Sequence, residues 1–458
     1  MAPHRTHNSI QTLLKQTGVS TLHRLNWWSV QKLLLRSLPN SAIKDRIVDW
    51  LARLTRNRSG ATFICITGSS AKSSTAGMLS HILASEGPVH AQVLRNTFRV
   101  YRKSLRRVSL ESKYAVCEIA THGPGTLQPQ IDLVKPSVGI VTLVGLEHYS
   151  AFRTHDAVAD EKATLVEALP QDGLAILNHD DPHVLAMKAR SKARVVTFGC
   201  SGGDYRNMRV TACVPGALGL TIDHDGASFD IETQMTGAHN IVSVAAAFVC
   251  AHQLGLPASL ITDRLASFRP IFGRCSTHVI DNGPIFIADT GKAPYWSIYL
   301  PIKMMGEFTA PRKRIVMGQI SDAGNTNPKY RDVYRAARLV ADQVIFVGDN
   351  AHRSKATAEE VAAGRFVEKR TVREAAAFIK ETAIPGEIIL LKSAPNLHLE
   401  RIVLSFEDEV ACWDVACGKR LQCVDCKRLG FKSGLSSTPA RPHKAIRRRH
   451  RDSAPTLV

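Results

Sequence analysis

No run of roughly 18 apolar residues occurs anywhere in the chain, so a membrane-spanning helix is not expected. The opening residues, MAPHRTHNSIQTLLKQTG, lack an apolar core followed by small residues; no secretory signal is expected, and a cytoplasmic location is. Glycine (30) and proline (21) are too few for a collagen or a low-complexity chain, and no internal repeat is visible. Aromatic residues make up only 6%. Acidic side chains are scarce against basic ones, 40 to 59, giving a formal charge of +19.

What is present is ordinary for a folded protein: 458 residues, 44% hydrophobic and 22% charged. At about 100–200 residues per domain, that length suggests two to four domains. From Lys427 onward, nine basic residues face one acid, Asp452; the tail therefore holds +8 and the other 426 residues +11. A second basic run comprises Arg95, Arg99, Arg102, Lys103, Arg106 and Arg107. A moderately basic body suits anionic ligands such as nucleotides as well as it suits DNA. No base-stacking aromatic residues accompany the tail, and a nucleic-acid partner is not expected.

Residues 1–55 read as an amphipathic helical extension. Thr62-Phe-Ile-Cys-Ile-Thr67 is short, apolar and β-branched, the pattern of a buried parallel strand. It runs into Gly68-Ser-Ser-Ala-Lys-Ser-Ser-Thr75 and then a helical pattern carrying Met78, Leu79, Ile82 and Leu83 on one face. Strand, small-residue loop with Lys-Ser, then helix is a phosphate-binding arrangement. Backbone N–H groups and a lysine offset phosphate charge, and a serine hydroxyl can hold Mg²⁺. Lys72 and Ser73 occupy those two positions, although Ala71 stands where a glycine is usual. Further strands are predicted at Tyr114–Ile119 and Val138–Val144, so the segment 56–272 is an α/β unit with ligands expected at the carboxyl ends of its strands. Short strands follow over 187–235, with helices at 240–254 and 258–267. A second α/β unit, 273–406, is predicted from strands near 285, 314, 343 and 388.

Six of the ten cysteines are scattered through apolar runs and read as buried thiols. The other four, Cys412, Cys417, Cys423 and Cys426, fall within fifteen residues as C-x4-C-x5-C-x2-C. Four thiolates so spaced can wrap one tetrahedral Zn²⁺, so 407–430 is expected to be a zinc knuckle. Reactive thiols are the alternative. Residues 431–458 read as a basic, disordered tail.

The order of the motifs resembles the Mur ligase family, and within it the MurF-like branch. The phosphate loop Gly68–Thr75, the strand Val116-Cys-Glu-Ile119, Val144-Gly-Leu-Glu-His-Tyr149 and Ala159-Asp-Glu-Lys162 are similar to family motifs in sequence order. So are Ala175-Ile-Leu-Asn-His-Asp-Asp-Pro182, Gly237-Ala-His-Asn240, Gly273-Arg274 and Ala288-Asp289 with Pro294. Val316-Met-Gly-Gln319 with Gly324, and Gly386–Ser393, look most like the MurF branch. The resemblance implies a P-loop central domain with a parallel sheet followed by a Rossmann-like α/β domain. The activity it implies is ATP-dependent amide formation between a carboxylate and an amine through an acyl phosphate. It places Gly68, Ser69, Ser70, Ala71, Lys72, Ser73 and Ser74 around the phosphates, Asn240 near adenine, Arg274 near the phosphates and Asp289 near the ribose. Ser73 and Glu118 would hold one Mg²⁺ and His148 a second. Lys162 matches a lysine carbamylated in many members, and Lys392 and Ser393 would face the amine. A solvated carboxylate and ordinary polar residues are the plain alternatives for Glu118, His148 and Lys162.

Two departures shape the expectation. Ala71 brings a Cβ into the phosphate loop. The Asp289 motif reads A-D-T-G-K-A-P, with Thr, Lys and Ala at its aromatic and His/Asn positions. The stretch before Thr62 also looks short for the family's UDP-sugar domain. A related ligase for a capsule or poly-γ-glutamate-like acid, or a nucleotide-binding protein without catalysis, therefore stays open.

Overall fold

The computed structural model describes residues 42–94, 97–214, 216–322, 326–415, 417 and 422–429. The helical expectation for 1–41, Arg95, Gly324 and the basic tail 431–458 lie outside the described residues. Among the described residues, no helix is long and apolar enough to cross a membrane.

The first sheet has six parallel strands in the order β2-β3-β1-β4-β5-β6: β1 Thr62–Thr67, β2 Val89–Gln92, β3 Tyr114–Glu118, β4 Val138–Val141, β5 Leu174–Asn178 and β6 Arg194–Phe198. Their near-continuous apolar runs follow from burial on both faces. One face packs on helix Lys72–Leu83 and the Ala-rich helix Ile241–Gln253; the other packs on helices around Tyr101, Ile131 and Leu165. Central β1 lies between β3 and β4, so successive connections leave it in opposite directions. That switch in direction opens a crevice beyond the strands' carboxyl ends.

The sequence missed β2, a four-residue edge strand too short for its Val-His-Ala-Gln alternation to stand out, and ran β4 three residues too far. The 187–235 region splits: β6 joins the parallel sheet, while β7 Arg206–Ala212, β8 Gly219–His224 and β9 Ala227–Glu232 form a separate antiparallel sheet. The basic run is partly neutralised within the fold. Arg102 pairs with Asp45 at 2.7 Å and Asp49 at 3.4 Å on helix Ala42–Arg58, which joins this unit instead of extending from it.

The other six-stranded sheet runs β10-β11-β15-β12-β13-β14, with β10 Ser276–Val279 antiparallel to β11 Ile285–Asp289 and the rest parallel. Its remaining strands are β12 Lys313–Met317, β13 Gln343–Val347, β14 Phe366–Lys369 and β15 Ile388–Lys392. The edge strands β10 and β14 went unpredicted; each is only four residues long. β11 and β15 end side by side, pairing Asp289 with Lys392, and so present two charged side chains at the same sheet end.

Candidate active site

Three strand ends of the first sheet meet at the phosphate loop. Gly68 has φ 144, and a Cβ there would lie 1.9 Å from Thr142 Oγ1 at the end of β4, so only glycine fits. Ser69 fixes the loop to the segment after β4: its backbone N–H donates to Leu143 O at 2.8 Å and its Oγ to Gly145 O at 2.9 Å. Ala71 then takes φ 67, left-handed, and its carbonyl accepts the first helical bond from Thr75 N at 2.9 Å. The helix Lys72–Leu83 therefore directs its N-terminus, with uncapped N–H groups and positive dipole end, at the mouth of the crevice.

Lys72 is buried, and its Nζ donates to Gly68 O. Ser73 Oγ donates to Glu118 Oε2 at 2.8 Å, and the same oxygen accepts from Leu94 N at 2.8 Å. Glu118 ends β3 buried to 2% exposure, which argues against the solvated carboxylate considered from the sequence. A hydroxyl beside a carboxylate is a hard oxygen pair of the kind Mg²⁺ prefers.

The cleft lies between the two large sheets and encloses about 860 Å³, open solvent at its mouth included. From the first unit it is lined by Ser69 to Ser74, Glu118 and Asn240. From the second come Arg274, Asp289, Lys292 and Lys392. Asn240 is anchored by Nδ2 donating to Thr236 O at 2.8 Å. Lys392 Nζ donates to Asp289 Oδ2 at 2.5 Å and to Lys292 O at 2.9 Å. Gly291 lies against Arg274, whose Nη1 would be 2.6 Å from an added Cβ, so the glycine lets the guanidinium pass close to the backbone.

Two residues missed in the sequence shape the electrostatics. Lys292 is held down at about 8, first by the positive charge of Lys72 and then by burial, with Glu147 opposing. Glu147, next to His148 in the quoted motif, is buried and pairs with Lys162 at 2.5 Å. Burial pushes the Glu147 carboxyl up, but Lys162, Lys72 and Lys292 outweigh it and hold it well below the usual carboxylate range. Burial lowers the Lys162 ammonium, with Glu147 resisting. The signal for Lys292 was its place three residues after Asp289; for Glu147 it was a carboxylate beside His148 in the segment after β4.

His148 meets the His122 ring edge-on at 5.5 Å, and burial lowers its pKa while Glu147 and Asp322 oppose. Two expectations need correction. Ser393 is fully buried, donating to Ala394 O at 2.9 Å and accepting from Gln319 N at 3.1 Å, so it does not reach the cleft. Cys412, Cys417, Cys423 and Cys426 do not converge as one four-sulfur group; the metal-competent cluster among the described residues is His398, Glu400 and Cys423. Spacing alone could not show that the buried end of a neighbouring helix claims Cys423.

With this geometry in place, residues 66–251 match the model of the Mur ligase middle domain. The chain is 25% identical over 370 residues to UDP-N-acetylmuramoyl-tripeptide–D-alanyl-D-alanine ligase of Synechocystis, covering 79% of this chain and 78% of that one. It is 24% identical to the Escherichia coli ligase of the same name, covering 82% and 84%. Among solved structures, it resembles the MurF ligase from Thermotoga maritima in complex with ADP, with a TM-score of 0.70, 20% identity, and 81% and 84% coverage. At that identity the structural likeness speaks to the fold.

Proposed function

We propose that this chain, a MurF-like Mur ligase, uses ATP to join the carboxylate of a muramoyl-peptide substrate to the amine of a D-alanyl-D-alanine-type dipeptide. The observation that carries this reading is the convergence of Lys72, Arg274, Lys292 and Lys392 from two sheets on the cleft that also holds the Ser73–Glu118 pair. Residues 56–272 form the nucleotide-binding domain in this reading, and 273–406 close over it.

The reaction has two transfers. A carboxylate oxygen attacks the γ-phosphorus and the bond to ADP breaks, giving an acyl phosphate. The amine nitrogen then attacks the acyl carbon, phosphate leaves, and the nitrogen loses a proton. Negative charge spreads over the moving phosphoryl oxygens in both steps, so fixed cations do most of the work. The loop amides of Ser69 to Ser74 cradle the phosphates, with Lys72 toward the β/γ-phosphates and Arg274 opposite. Mg²⁺, held by Ser73 Oγ and Glu118, supplies charge neutralisation on those oxygens when bound. Asn240 lies on the adenine side and Asp289 on the ribose side. Lys392 remains the residue for the amine substrate, whose carboxylate it can meet. Lys162 acts here as the cationic partner of Glu147; a carbamate on it would set two anions together.

The test is phosphate release from ATP and Mg²⁺ with UDP-N-acetylmuramoyl-tripeptide and D-alanyl-D-alanine. Release that needs both substrates, and falls by about 10²-fold or more in Lys72→Ala, is the expected result. No release with this pair, but release with other acids, would move the substrate assignment. Nucleotide binding without turnover in any acid and amine pool would overturn the ligase reading.

A further inference from the structure

Outside the cleft, the segment after helix Glu400–Glu407 turns back onto the helix's first turn. Arg401 Nη1 donates to Asp414 O at 2.8 Å, and Ala411 N to Leu429 O at 2.9 Å. His398 precedes the helix in a left-handed conformation, φ 58, and its ring touches the returning segment at Cys417 and Cys423. The imidazole is flanked on both nitrogens: Nδ1 lies 3.4 Å from Cys423 Sγ and 3.4 Å from Glu400 Oε1, while Nε2 lies 3.3 Å from Cys417 Sγ. His398, Glu400 and Cys423 are each buried to below 5% exposure, and their ligand atoms fall within 4.8 Å of one another.

We propose that His398 Nδ1, the Glu400 carboxylate and Cys423 Sγ bind one Zn²⁺. Zinc–nitrogen and zinc–sulfur bonds of about 2.0 and 2.3 Å at a tetrahedral angle put N and S about 3.5 Å apart. The 3.4 Å from Nδ1 to Cys423 Sγ matches that edge, and the 3.4 Å from Nδ1 to Glu400 Oε1 matches the N–O edge of about 3.3 Å that zinc–oxygen bonds of about 2.0 Å give. Imidazole, thiolate and carboxylate together are a borderline-soft set that suits zinc over Mg²⁺ or Ca²⁺. A second observation is independent of the spacing: Glu400 Oε2 is buried and has no hydrogen-bond partner. A buried carboxylate oxygen left in that state is costly, and a cation beside it removes the cost.

The surroundings fit a ligating histidine. With Nδ1 on the metal, Nε2–H points at Cys417 Sγ, which fixes the tautomer and the ring orientation. Arg401 Nε donates to Cys423 Sγ at 3.1 Å. Its charge opposes a nearby cation, but the Cys423 thiolate and the Glu400 carboxylate together outweigh it, and the N–H···S bond favours the thiolate. The site also reaches toward the cleft. Gln422, one residue before Cys423, donates from Nε2 to Phe272 O at 3.1 Å, bracing the turn that carries Arg274.

Metal content of the full chain, purified without chelator, gives the test. About one zinc per chain is expected, and Co²⁺ exchange should produce intense tetrahedral d–d absorption with a thiolate charge-transfer band. Cys423→Ser and His398→Ala should each lose both signals, whereas Cys426→Ser keeps them; retained nucleotide binding shows that the variants fold. Zinc below about a tenth of an ion per chain with no cobalt spectrum in the unmodified protein overturns the proposal. So does zinc loss in Cys412→Ser and Cys426→Ser as complete as in Cys423→Ser, which would place the ion among the four cysteines.

Discussion

At Ala71 the backbone is left-handed, φ 67, inside the loop that faces the phosphates. An L-residue pays about 1–2 kcal/mol for that conformation through its Cβ. Glycine removes the clash but adds unfolded-state freedom worth about 0.4–1 kcal/mol. Ala71→Gly is therefore expected to stabilise the protein by about 0.5–1 kcal/mol, read from the urea midpoint at unchanged slope. Equal or lower stability would mean that the loop relaxes the strain elsewhere. The replacement of glycine by alanine was legible in the sequence. Its backbone angle was not, because φ at one position depends on how Ser69 and Thr142 pin the loop. Lys292 shows the same limit: the sequence recorded it as a departure from a motif, while its proximity to Lys72 exists only once two sheets meet.

Elements carried the fold most clearly where an apolar strand led into a glycine or a charged residue. β1 and helix Ala258–Ser267 fall where their patterns put them, and β3, β5, β11 and β15 are recognisable from continuous burial. Short edge strands such as β2 have no such run, and they take shape from the neighbour they pair with. The Glu147–Lys162 pair belongs to this scale, since it joins the loop after β4 to helix His155–Glu167. Removing one partner leaves the other charged and buried. Glu147→Gln is expected to destabilise by about 3–5 kcal/mol in chemical denaturation. The double variant Glu147→Gln with Lys162→Met should recover most of the loss. If the double variant is no more stable than the single, the loss does not come from leaving the Lys162 charge buried and unpaired.

At the scale of the molecule, the cleft sets positive groups from two sheets against each other. Lys72 opens the helix that follows β1, while Arg274, Lys292 and Lys392 come from the unit built on β10 to β15. The charge of Lys72 first, then burial, with Arg274 adding to the repulsion, lowers Lys292 to about 8, and a polyphosphate set among these cations pulls it back up. Below pH 8 Lys292 already carries its proton, so nucleotide binding takes none up. Above pH 8 the free protein has lost that proton, the complex restores it, and ADP affinity falls as pH rises. Calorimetric titration of ADP at about pH 8.5, in two buffers of different ionisation heat, should reveal proton uptake that is absent near pH 6.5. Lys292→Gln should abolish that uptake and flatten the pH dependence, while keeping the weaker binding that Lys72 and Arg274 support. Uptake that persists in Lys292→Gln would assign the proton to another group and leave Lys292 outside the nucleotide's field. Uptake that disappears would assign the proton to Lys292 and place that lysine, carried by the second sheet, in the field of a nucleotide held at the loop of the first.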